Sequence, residues 1–413
     1  MRSLWQKWIT HQNIGMLSVL LVLAGLLCSE AAMSIGMIGL VVNAVFNRQI
    51  GSNFRGFLQN RTLLTLTLVF WIVLVSGFWS DNSAWLLNRL QMKLPFLLLP
   101  AAIVAIPVMD KRVFCPLLAA FFWAMVGICT YSIALYFLHF ESTTEAYKQG
   151  HVLYTPVMHI RFSLMVAFCV VIGWYLYQEK FQWRWGWEPQ TMLAGALFLF
   201  IYLHILAVRT GLVSLYGALI FLLLHFIFRS RRYWLGAVLA LLITGVALLS
   251  MRWVPTLWNK IGYMRWSLEQ IAAGENIADL SDSHRIATIE AGIALGQAHP
   301  LTGTGWGDIK DATRTYLQKK YPALAAGGYM PQSQYVLFFA ATGWPGLLLF
   351  GWATLQPLWH RRGWRHLLIG PLHVMMILSF LVEQTLETQL GTAIYIIFTL
   401  LCIRWQMEER QPD

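Results

Sequence analysis

Charge is what this sequence has least of. Only 12% of its 413 residues are Asp, Glu, Lys or Arg, and 58% are hydrophobic. A soluble protein of this length has no core large enough to hide so much apolar surface, so a bilayer is expected to be its solvent. Cysteine is also sparse. Cys28, Cys115, Cys129, Cys169 and Cys402 all fall in or beside apolar runs, which excludes a disulfide framework and suggests no metal site. Acidic residues are few, 19 against 30 Lys plus Arg, for a net charge of +11. In a soluble chain that excess would raise nucleic acid as a partner; here membrane topology accounts for it, and no nucleic acid partner is expected. A cleavage site is missing as well. The apolar stretch from Ile14 to Leu27 leads through Glu30 directly into another, so targeting is expected to rest on the helices themselves.

What the sequence does have is apolar runs. Crossing the hydrocarbon takes roughly 20 apolar residues per helix, and runs near 14–28, 32–46, 63–79, 94–109, 114–139, 157–176, 192–208, 211–228, 234–249, 334–358, 367–382 and 391–403 predict an all-α polytopic membrane protein of about 12 transmembrane helices. With the N-terminus inside, 17 of the 30 Lys and Arg fall in cytoplasmic segments, whereas the short outer connections hold only Arg89, Lys93, Lys148, Arg161 and Arg209. The positive-inside rule then puts both termini in the cytoplasm and the long polar stretch in the periplasm. Trp71, Trp79, Trp85, Trp174 and Trp234 sit in or beside run ends, as interfacial aromatics do and as packing alone would also place some of them. The expected organisation is helices 1–9 over residues 1–249, a periplasmic loop with amphipathic helices over 250–333, and helices 10–12 over 334–413. A loop of roughly 80 residues is far longer than a turn and points to function. Transporters built from repeats have similar halves; these halves differ, which favours an enzyme.

Within the loop, Ile286, Ile289 and Ile293 recur at helical spacing, and Ser281, Asp282 or Ser283 is available as a cap, so an amphipathic helix is expected over 283–298, lying on the membrane surface or over a cavity. Gly292 and Gly296 weaken it. There follows His299-Pro300-Leu301-Thr302-Gly303-Thr304-Gly305-Trp306-Gly307-Asp308. No Lys-Ser/Thr pair follows these glycines and no strand precedes Gly303, so a demanding turn is a better reading than a phosphate-cradling loop. His299, followed by proline, is read as capping or packing the turn.

Arginine at membrane depth is costly and usually functional. Arg209, in Ala207-Val208-Arg209-Thr210-Gly211, occupies a near break in one apolar stretch, and Arg161, in His159-Ile160-Arg161-Phe162-Ser163, stands at an outer helix start. Arg285 is expected in the first turn of the loop helix, where the macrodipole disfavours a cation, so an anion held there would explain it. Arg265, beside Trp266, reads as interfacial. The bland account is that Arg161 and Arg209 snorkel to headgroups and that Arg285 is solvated. Glu383 and Glu387 are candidates for the outer site, and a solvated helix-end face is their competing reading.

Four features in chain order carry a family resemblance: Arg209-Thr210-Gly211; Arg285 heading a loop helix; His299 to Gly305; and Met330-Pro331-Gln332-Ser333-Gln334-Tyr335 entering a helix that reaches Gly343-Trp344-Pro345-Gly346-Leu347. Together they resemble the O-antigen ligase and polymerase family of bacterial membrane glycosyltransferases. The resemblance implies a GT-C-like helical fold in the cell inner membrane and a role in lipopolysaccharide biosynthesis. A glycan would pass from an undecaprenyl-pyrophosphate carrier to a lipid A core or a growing glycan in the periplasm, with no cofactor, nucleotide sugar or metal. Arg209 and Arg285 would hold the pyrophosphate, and placement adds Arg161 and His159. Paired guanidiniums suit a pyrophosphate leaving group, whose charge grows in the transition state. One departure stands out. The family usually has a histidine after the proline of the last motif, where this chain has Gln332. Glutamine cannot accept a proton near neutral pH and can only orient by hydrogen bonding. General-base help is worth about 100 to 10,000-fold, so a slow enzyme or another base is expected, with His159, His284 and Glu290 as substitutes. Two other readings stay open: a transporter or flippase of an anionic or lipid-linked solute, and a catalytically degenerate paralogue.

Overall fold

The computed structural model describes residues 10–141, 153–253, 281–322 and 330–408, with Glu145, Gly262 and Leu324 besides. Arg265 lies outside the described residues. The described chain is helical throughout: α1 His11–Cys28, α2 Glu30–Val45, α3 Ile50–Gln59, α4 Arg61–Ser76, α5 Ser83–Ala102, α6 Lys111–Leu138, α7 His159–Gln178, α8 Glu188–Leu206, α9 Arg209–Ser230, α10 Tyr233–Trp253, α11 Ser281–Ala298, α12 Ile309–Lys320, α13 Gln334–Trp359, α14 Ile369–Val382 and α15 Gln389–Glu408. A helix overlaps each of the twelve expected runs. By length and composition, eight of the described helices can cross a membrane, or nine if α2 and α3, which meet at 109°, form one span.

Polar residues set the helix starts. Asn60 accepts from Thr62 and Leu63 at the head of α4, Asp110 from Val113 at α6, and Ser333 from Val336 at α13. Asn82 accepts from Trp85 at the head of α5, which corrects one expectation. Because that cap starts the helix at Ser83 rather than near residue 94, Arg89 and Lys93 lie on α5 and not in an outer connection. Their exposures are 7% and 0%.

The loop helix α11 starts at Ser281, which puts Arg285 fifth rather than in the first turn. It packs against α13 through small residues. A Cβ on Gly292 would come within 2.6 Å of Val336 and 2.8 Å of the Pro331 ring, and one on Gly296 within 2.4 Å of Phe339. The glycines therefore set the approach of two helices. The isoleucines are not what packs against α13: Ile286 and Ile293 are exposed and Ile289 is half-buried, while Ala287 and Ala291 are buried. Periodicity finds a stripe, but on this helix close backbone approach selects the smaller residues.

The His299–Asp308 stretch is a crossing. Helix α13 kinks at Gly343, where φ is +67°, and Pro345 has no N–H to give the carbonyl of Ala341. The loop uses what the kink releases. Thr304 and Gly305 donate to the carbonyls of Ala340 and Ala341 at 2.9 and 3.0 Å, and Trp344 donates to Pro300 at 2.8 Å. A Cβ on Gly303 would sit 2.3 Å from Ala341, and one on Gly343 2.5 Å from the Pro300 oxygen, so both positions require glycine on grounds of space as well as φ. His299 is exposed, and its carbonyl accepts from Gly303 at 2.8 Å. Beyond the crossing, Trp306 is fully buried against Phe338. The Asp308 carboxylate accepts from the backbone of Asp81 and Asn82 at 2.8 and 2.9 Å, so the loop anchors the N-terminus of α5.

Candidate functional site

Helices α14 and α15 are joined by Glu383–Thr388, a polar segment with a 3-10 turn over Thr385–Glu387. Five side chains from four other elements hold it. From α5, Lys93 Nζ donates to the Leu386 carbonyl at 2.5 Å and to Glu387 Oε1 at 2.6 Å, and Arg89 Nη1 reaches the Glu387 carbonyl at 3.4 Å. From the start of α7, Arg161 donates to Thr388 Oγ1 at 3.2 Å and to the Gln384 carbonyl at 3.4 Å. From α11, Arg285 Nη2 pairs with Glu383 Oε1. At the head of α13, Gln334 accepts from Leu386 N at 2.8 Å and donates to Glu387 Oε1 at 3.0 Å, while its own N–H donates to the Glu383 carbonyl at 3.2 Å. Ser333 Oγ adds a bond to the Phe380 carbonyl at 3.2 Å.

Two properties of this cluster bear on chemistry. Its charges do not balance: among the described residues Arg89, Lys93, Arg161 and Arg285 face only Glu383 and Glu387, leaving two positive charges in surroundings where an uncompensated cation is costly. Nor are its hydrogen bonds exhausted. Among the described residues, Arg161 Nη1, Arg285 Nε and Arg89 Nε are buried donors without a hydrogen-bond partner, and the buried acceptors Gln384 Oε1 and Glu387 Oε2 lack one as well. Unspent guanidinium N–H groups around a surplus positive charge can accept an anion with several oxygens.

The predicted site residues fall as follows. Arg161 is 2% exposed, which overturns the snorkelling account. Arg285 is partly buried and paired rather than solvated, and its anion is supplied by Glu383. Glu383 and Glu387 are 6% and 5% exposed, so the solvated-face reading fails for both. Arg209 is exposed at the first position of α9. Helix α9 starts beside α7, where a Cβ on Gly211 would lie 2.5 Å from Ser163, so the Arg209 and Arg161 ends of the two helices are neighbours. His159 is half-buried as the first residue of α7, and Gln332 is half-buried two residues before α13. Glu290 is removed as a base. It accepts from Lys320, from Tyr316 Oη at 2.6 Å and from Tyr321 Oη at 2.7 Å, and these donors, Lys320 foremost, hold its carboxyl down at about 2.

Sequence reasoning missed Arg89, Lys93 and Gln334. The signal was available: Trp85, Arg89 and Lys93 recur every fourth residue, one stripe of a helix extended by a turn or two, and the Arg89 guanidinium lies 4.2 Å from the Trp85 ring centre.

Comparison with known proteins comes from the sequence. No curated protein matches the chain. Residues 194–351, the stretch that holds all four motifs, match the family model described as O-antigen ligase, which supports the O-antigen ligase and polymerase family.

Proposed function

We propose that this protein is a glycosyltransferase that moves a glycan from an undecaprenyl-pyrophosphate carrier to a lipid A core or a growing surface polysaccharide at the periplasmic face of the inner membrane. The observation that carries this reading is the surplus of two buried positive charges, with unspent guanidinium N–H groups, on the segment next to Met330–Tyr335. Arg285 and Arg161 hold the donor pyrophosphate there, Arg209 joins them from the adjoining helix end, and the charge that builds on the leaving phosphate is stabilised where it forms. Gln332 orients the acceptor hydroxyl by hydrogen bonding; His159 is the alternative acceptor-side group. About twelve helices cross the bilayer, both termini are cytoplasmic, and residues 250–333 are periplasmic.

The test is transfer by the purified protein from a lipid-linked donor, read as labelled product on a gel. Arg285→Ala and Arg161→Ala are expected to lose transfer, with Lys recovering part of it because a point charge cannot make the bidentate phosphate contact. Full activity in Arg285→Ala removes that residue from the site. Flux of a lipid-linked solute across vesicles, without product, selects the transporter reading. For the topology, cysteine at Lys310 is expected to label from the periplasm and cysteines at Arg231 and Arg362 are not; labelling of position 310 from the cytoplasm alone overturns the assignment.

A further inference from the structure

If Gln332 cannot take a proton, some other group has to when the acceptor hydroxyl attacks. Two carboxylates face the site, and they are not equivalent. Glu387 is committed to two cations: Oε1 is bound to Lys93 and Gln334, Arg89 lies 3.8 Å from Oε2, which accepts no hydrogen bond among the described residues, and the side chain is 2% exposed. Glu383 is less so. Its Oε1 meets Arg285, its Oε2 makes no hydrogen bond among the described residues, and its side chain is 8% exposed. It is also joined to the motif that lacks the histidine. Gln334, two residues after Gln332, donates its N–H to the Glu383 carbonyl at 3.2 Å, and Ser333 bonds the same helix end through Phe380.

We infer that Glu383 is the general base of the transfer reaction, held inactive by Arg285 until the donor pyrophosphate takes Arg285 over. The inference rests on the proposed function. The acceptor O–H gives its proton to Glu383 Oε2 as the oxygen forms its bond to the anomeric carbon. The anomeric carbon–oxygen bond breaks, and its electron pair leaves on the pyrophosphate, which Arg285 and Arg161 hold. Glu383 then returns the proton to solvent. The order of events follows from charge. Without donor, an arginine neutralises Glu383. Once Arg285 turns to the phosphate, a carboxylate stripped of its cation in poorly hydrated surroundings binds a proton more readily. Donor binding thus switches the base on, which limits proton removal in the absence of a glycan to transfer. The charged groups that act on Glu383 are Arg285 on α11 and Arg161 on α7, with Lys93 and Arg89 on α5 acting through Glu387.

The experiment follows transfer by the full-length protein against pH. Glu383→Gln is expected to lower kcat by about 100 to 10,000-fold, to leave KM for the donor within a few-fold, and to abolish the rise of kcat with pH on the acid side. Gln332→His in the Glu383→Gln background should recover transfer, with a new acid limb near about 6.5. A kcat within twofold of the native value, or an unchanged acid limb, in Glu383→Gln overturns the inference while the proposed function stands. Absence of transfer by the native protein overturns both. If Glu383→Gln does not fold, Glu383→Asp carries the test: it keeps the charge and the acid limb but pulls the carboxylate back, so kcat should fall at least tenfold, and an unchanged kcat overturns the inference.

Discussion

Helix α11 carries an ionic cluster on each of two sides, and the two are built to opposite rules. Through Arg285 it meets Glu383 and the polar segment between α14 and α15. Through Glu290 it meets Lys320, Tyr316 and Tyr321. The Glu290 cluster is saturated: one carboxylate, three donors, and a surface position that leaves Lys320 about half exposed. The Glu383 cluster is buried, has cations in excess, and leaves guanidinium N–H groups without partners. A saturated cluster ties a loop together and has nothing left for a ligand. An unsaturated buried one bears a standing cost, and a ligand of opposite charge relieves it. The difference makes one side of α11 scaffold and the other the candidate site.

The strongest way to break that contrast is to remove one cation from each cluster. Lys93→Ala leaves Glu387 buried without its main partner, and unfolding in detergent should show a loss of about 3–5 kcal/mol. Lys320→Ala removes a solvated partner and should scarcely move the unfolding midpoint. Equal losses would mean that burial is not what separates the two sides.

A smaller effect is expected from the seam between α11 and α13. Gly292→Ala drives a methyl toward Val336, which can turn aside, and toward the Pro331 ring, which cannot. Overpacking of this kind costs about 1–3 kcal/mol. It should also draw Arg285 away from Glu383, so transfer should fall by more than the loss of folded protein accounts for. A fall that matches the folded fraction would show that the site tolerates movement of α11.

The smallest expected effect is the pH response of the Glu290 cluster. Its folded carboxyl is held at about 2 by Lys320, Tyr316 and Tyr321, below an unfolded value of about 4.3. A depressed carboxyl contributes stability that is complete above the unfolded value and is lost as pH falls toward the folded one. Hydrogen exchange over residues 309–320 should therefore be constant from pH 7 to 5 and quicken, relative to the intrinsic rate, between pH 4 and 2. Glu290→Gln should remove that step, and a step that survives the substitution belongs to another group. Because Glu290 is partly exposed, solvent screening keeps the effect small.

Much of the architecture was legible without coordinates. Apolar runs near the length of a bilayer crossing predicted helices that the structure contains, and a helix over 283–298 was expected within two residues of where α11 starts. The loop after it was read as a demanding turn, and Gly303 does lie against the backbone of Ala341 and Thr342, and Gly343 against that of Pro300 and Leu301. One error has a plain cause. Arg89 and Lys93 were assigned to a connection because cations end an apolar run. That inference uses the character of a residue in place of its neighbours.

The sequence by itself determined the solvent of this protein, the positions of its helices, the family its motifs resemble and which arginines were worth following, because composition, period and motif order are properties of a chain. Only the tertiary structure decided what those arginines face. Glu383 lies 98 residues from Arg285, and Lys93 lies 294 from Glu387; nothing local signals either partnership. A buried charge takes its meaning from the groups that neutralise it, and the packing of α5, α7, α11 and α13 around one short segment brings those groups together.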